Sequence, residues 1–67
     1  MLTVNEILNS EVEANGVDII TIHCKEKSYQ YDSKESVPST LLSSNSIDYE
    51  VEFDSDEGIV YLDICCE

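Results

Sequence analysis

Sixty-seven residues are enough for one small domain, expected over 1–67, and exclude a second. Fifteen acids, three lysines and no arginine give a net charge of −12, which excludes direct nucleic-acid binding, because that requires Lys and Arg to displace counterions, and argues against docking on anionic lipid. Hydrophobic residues nevertheless make up 42% of the chain and fall in patterned runs, so this is not a disordered acidic tail.

The first predicted element is a helix over about 3–14. Thr3 and Glu6 have capping-box spacing, and Leu2 and Ile7 occupy the positions of a hydrophobic staple. Val4, Ile7, Leu8 and Val12 form one apolar stripe at helical spacing. Asn15-Gly16 can stop the helix in the left-handed region. Asn-Gly is also a hairpin signal, so a strand over 11–14 paired with 17–20 competes with the helix. Residues 17–24 (VDIITIHC) are rich in β-branched side chains and read as a strand. Residues 25–27 form a polar turn, and 28–32 (SYQYD) the return strand. Residues 33–36 are loop-like, and Pro38 opens a helix of about two turns carrying Leu41 and Leu42, ended by Asn45. Residues 47–54 alternate without a break, with Ile47, Tyr49, Val51 and Phe53 on one face and Asp48, Glu50, Glu52 and Asp54 on the other. Such alternation predicts a half-buried antiparallel strand. Residues 54–58 supply a turn, and 59–66 (IVYLDICC) the partner strand, with Val60, Leu62, Ile64 and Cys66 inward. The expected architecture is α+β, in the order α-β-β-α-β-β: a four-stranded antiparallel sheet with two short helices on one face.

Alternate residues on a strand stand about 6.6 Å apart, so Asp48, Glu50, Glu52 and Asp54 would form a carboxylate row about 20 Å long. The turn adds Asp56 and Glu57, and the last strand adds Asp63; residues 48–67 hold eight acids and no base. Charged outward residues keep sheet edges soluble, which is one reading of the row. The charge, however, exceeds the magnitude of about 2–8 that solubility asks of a small domain. The other reading is an electrostatic decoy occupying a groove built for phosphates. On the uncovered sheet face, Ile19, Ile59 and Tyr61 would be left over, a candidate surface for a homodimer.

Little else carries chemistry. His23-Cys24 and Cys65-Cys66 suggest zinc, but adjacent strand residues point to opposite faces. A calcium loop starting at Asp54 would need a bidentate Glu where Cys65 stands. There is no nucleophile elbow, phosphate loop or HExxH motif. The expectation is therefore no enzyme, no cofactor and no metal. The sequence MLTVNE has neither the basic region nor the apolar stretch of a secretory leader. No apolar run approaches the ~20 residues of a membrane span. Three cysteines, an odd number, fit reduced thiols better than a disulfide framework. Together these features predict a cytoplasmic protein, in the host cytoplasm if a phage encodes it.

In size, charge and composition, though in no specific motif, the chain resembles the small acidic proteins that phages and mobile elements use against host defence: anti-CRISPR proteins, anti-restriction proteins and other nucleic-acid mimics. That resemblance implies a non-enzymatic inhibitor of a basic nucleic-acid-handling protein. Its contacts would be Asp48, Glu50, Glu52, Asp54, Asp56, Glu57 and Asp63, with Tyr61 as an aromatic anchor. An immunity protein or antitoxin against a basic nuclease is the alternative, and a homodimeric structural module a third.

Overall fold

The computed structural model describes residues 2–67. Helix α1, Val4–Asn15, begins as its sequence dictates. The Glu6 amide donates to Thr3 Oγ1 at 3.3 Å and the Thr3 amide donates to Glu6 Oε1 at 3.0 Å, so two of the amides exposed at a helix start are satisfied reciprocally. Gly16 ends the helix at φ 62°, and its N–H bonds the Val12 carbonyl. Residues 11–14 are thus helical, and the hairpin alternative falls. The apolar stripe decides the matter: Val4, Ile7 and Leu8 are fully buried. Leu2 stays 44% exposed.

Four strands follow: β1 Ile19–Cys24, β2 Lys27–Tyr31, β3 Ser46–Asp54 and β4 Ile59–Cys66. They form one sheet in the order β2-β1-β4-β3. Each hairpin is antiparallel, but β1 and β4 pair in parallel, Ile20 beside Leu62 and Ile22 beside Ile64. The sheet is therefore mixed, correcting the all-antiparallel expectation. The physical reason is burial: β1 and β4 are the most apolar strands and take the centre, while the polar β2 and the acid-lined β3 take the edges. Placing them so requires the chain to cross from one edge to the other between Tyr31 and Ser46, a connection long enough for such a crossing.

The crossing contains a 3-10 turn, Lys34–Ser36, and a single helical turn α2, Ser39–Leu42, instead of the two turns expected. Thr3, Asn5, Ser39, Leu42 and Ser43 line one shallow depression, and the Val4 amide bonds the Ser44 carbonyl at 3.0 Å. This places α2 at the amino-terminal end of α1. The two helices do not share one face of the sheet, a second correction; α2 is too short to cover strands by itself. Val37, from the crossing, is 5% exposed and joins Val4, Ile7, Leu8, Ile20, Ile22, Leu62, Ile64 and Cys66 in the core. The Tyr49 hydroxyl donates to Glu11 Oε1 at 3.1 Å, tying β3 to α1.

Candidate functional site

The site is the sheet face that carries none of the core residues. Cross-strand partners share a face, so the register assigns it directly. Asp48 lies opposite Cys65, Glu50 opposite Asp63, Glu52 opposite Tyr61 and Asp54 opposite Ile59. Ile19 is beside Tyr61 and His23 beside Cys65 on the parallel side. All the core strand residues, Ile20, Ile22, Leu62, Ile64 and Cys66, have the opposite parity. The four acids of β3 are thus one row on a pleated strand, joined by Asp63 across the ladder.

The members of that row differ in their local duties. Asp54 accepts from the Asp56 amide at 3.0 Å and the Glu57 amide at 3.3 Å, and its carbonyl accepts from the Gly58 amide at 2.7 Å. It shapes the turn, which Gly58 closes at φ 69°. Asp48 accepts from the Tyr49 amide at 2.8 Å. Among the described residues, Glu50 and Glu52 have no such structural bond, and both are exposed. They crowd each other: the Glu50 carboxylate, which a protonated Glu52 can hydrogen-bond, raises the Glu52 carboxyl above its ordinary value, with a smaller push from Asp63. Asp56 and Glu57 are exposed on the turn. Tyr61 is half-buried, and partial burial with the negative field of Glu57 and Asp54 raises its hydroxyl.

Ile19 and Ile59 are also half-buried. Among the described residues, the large hydrophobic side chains most exposed are instead Leu2, Ile47 at 66%, Val51 at 37% and Phe53 at 66%. Three of these belong to the β3 face expected to be covered. Two causes act. A bulge between Ser46 and Asp48 turns Ser46 inward and Ile47 out. And α1, 12 residues, is about 18 Å long, against about 30 Å for the nine residues of β3, so the hairpin tip extends past the helix. That length mismatch was the available signal for these residues.

His23, Asp48, Glu50, Asp63 and Cys65 border a depression of about 230 Å³ on the acidic face. His23 Nδ1 pairs with Ser28 Oγ at 2.8 Å across the first hairpin. Cys24 and Cys66 lie side by side on the opposite face, where burial pushes the Cys66 thiol up to about 11. Among the described residues no group of three or more His, Cys, Asp or Glu side chains is placed to hold a metal ion, and no helix is long and apolar enough to cross a membrane. No protein-family model matches this chain, and neither does any curated protein or any solved structure.

Proposed function

We propose that this protein is a non-enzymatic acidic inhibitor that occupies the nucleic-acid groove of a basic protein, in the manner of phage or mobile-element counter-defence. The observation that carries the reading is the single-faced row Asp48, Glu50, Glu52 and Asp54, with Asp63 across from Glu50 and the turn acids at its end. No lysine interrupts it, since all three lie between residues 25 and 34. Duplex DNA carries one negative charge per about 1.7 Å of axis, and a rigid carboxylate row offers a basic groove a partial substitute. Its partner would be captured fast and in a salt-sensitive way. Asp63 and Tyr61 extend the contact onto β4, with Tyr61 as the aromatic anchor.

The test is a pull-down from host lysate at low and high salt, using the native protein and the Glu50→Gln, Glu52→Gln, Asp54→Asn, Asp56→Asn variant. The amides keep side-chain shape and the Asp54 acceptor oxygen. Support requires a basic protein that is captured at low salt, released at high salt or by duplex DNA, and lost with the variant. Equal capture by the variant overturns the proposal. An immunity protein against a basic nuclease would use the same face, and a toxin gene immediately upstream would favour that reading over counter-defence.

A further inference from the structure

We infer that the outer edge of β3 accepts an extended segment of the basic partner as a fifth strand, one in which lysine or arginine alternates with apolar residues. This rests on the acidic-inhibitor reading and adds a binding mode and a partner chemistry to it.

Strand β3 is an edge strand. The Asp54 carbonyl turns inward to close the hairpin, and backbone groups alternate in direction along an antiparallel strand. Glu50, Glu52 and Asp54 therefore aim their backbone at β4, whereas Tyr49, Val51 and Phe53 aim theirs outward. The Tyr49 amide is taken by Asp48, which leaves the N–H and C=O groups of Val51 and Phe53 for an incoming chain. The same edge already carries one antiparallel bridge just before the bulge. There the Ser46 amide donates to the Leu2 carbonyl at 2.8 Å, and Thr3 bridges Asn45 in antiparallel fashion. The chain's own amino-terminal segment turns into α1 after that point.

The two faces of the edge choose the occupant. An added strand would set alternate side chains about 5 Å from Glu50 and Glu52 on one face and from Val51 and Phe53 on the other. The first set is matched by cations and the second by apolar groups, which would cover the exposed Phe53 ring. A second copy fits poorly. Antiparallel pairing of β3 with itself opposes carboxylate to carboxylate, which is destabilising. The edge of β2 brings only Ser28 and Gln30 to that face.

The probe is an eleven-residue peptide of alternating lysine and valine, compared with the same peptide N-methylated along its backbone and with a lysine–serine peptide of equal charge. Binding is measured by fluorescence anisotropy at low salt, and by amide shifts and exchange protection in NMR. The lysine–valine peptide is expected to bind about tenfold or more tightly than either control, with new protection at the Val51 and Phe53 amides. Val51→Pro removes an outward N–H that the β3–β4 ladder does not use and is expected to erase that advantage. Equal binding by the N-methylated peptide overturns strand addition while leaving the acidic-inhibitor reading intact. Failure of every cationic peptide also overturns strand addition, and the pull-down with the amide variant decides the acidic-inhibitor reading separately. Protection of the β3 edge in the protein alone, with a dimer in sedimentation, also overturns the inference by naming a second copy as occupant.

Discussion

Among the acids of the sheet face, local bonding separates those that build the fold from those free to act outward. Asp54 and Asp48 hold backbone amides, as does Asp18, whose Oδ2 accepts from the Val60 amide at 3.0 Å and continues the β1–β4 pairing past the strand end. Glu50 and Glu52 do no such work and repel each other. Because Glu52 is raised by Glu50, the folded chain binds its proton more tightly than the unfolded chain. That mutual repulsion is present at neutral pH and is relieved as pH falls through the raised value towards the ordinary one. Glu6 acts in the opposite sense: bonds from Thr3 lower it, so its contribution holds above its ordinary value and is lost as pH falls through the lowered one. Stability to urea should therefore rise on mild acidification from neutrality and decline in stronger acid. Glu50→Gln should flatten the rise and return Glu52 towards its ordinary titration in carbon-detected NMR. An unchanged profile in that variant would refute the coupling.

Elements here are marginal individually and depend on their ends and on what they cover. Helix α1 is 12 residues long, near the length at which isolated helices fail in water. Its cap and its buried stripe are what fix it. Thr3→Ala removes the acceptor for the Glu6 amide and should cost about 1 kcal/mol in urea denaturation, with the sheet register unchanged. A loss indistinguishable from zero would mean that packing alone holds the helix start. Strand β3 shows the converse situation. Its ladder to β4 is continuous from Asp48 to Asp54, yet α1 covers only part of its apolar face. Its exposed length follows from element lengths, since the helix rises about 1.5 Å per residue and the strand about 3.3 Å.

At the scale of the whole molecule, a charge of −12 sits on a body of 31 × 23 × 21 Å. Among the described residues ion pairing offsets little of it: Lys34 and Glu13 approach at 3.9 Å, at the surface. Like-charge repulsion is therefore a standing cost, and salt should relieve it. The thermal midpoint should rise between low salt and about 0.15 M, where the screening length is about 8 Å, and less steeply in the variant with amides at Glu50, Glu52, Asp54 and Asp56. A midpoint that falls or stays flat would show that the charges are spaced widely enough to ignore one another. The same salt should weaken capture of a basic partner, so stability and binding are expected to respond oppositely.

Local signals determined much of this protein, because period, capping and turn chemistry act within a few residues. The Thr3–Glu6 box, the Gly16 stop, both hairpins and the placing of Asp48, Glu50, Glu52 and Asp54 on one strand face were all legible, as were Leu62, Ile64 and Cys66 as inward residues, whereas Val60, expected with them, is only half-buried and stays outside the core. Legibility ended where distant segments compete. Alternation tells a strand which side is apolar but not which neighbour it takes, so the parallel β1–β4 centre came from burying the two most apolar strands together. Nor does it tell how far a helix reaches, so Val51 and Phe53 keep the predicted face yet remain exposed. The bulge at Ile47 and the burial of Val37 have the same origin. They depend on how the crossing segment and the amino terminus meet the end of the sheet, a fit decided only when the whole chain packs.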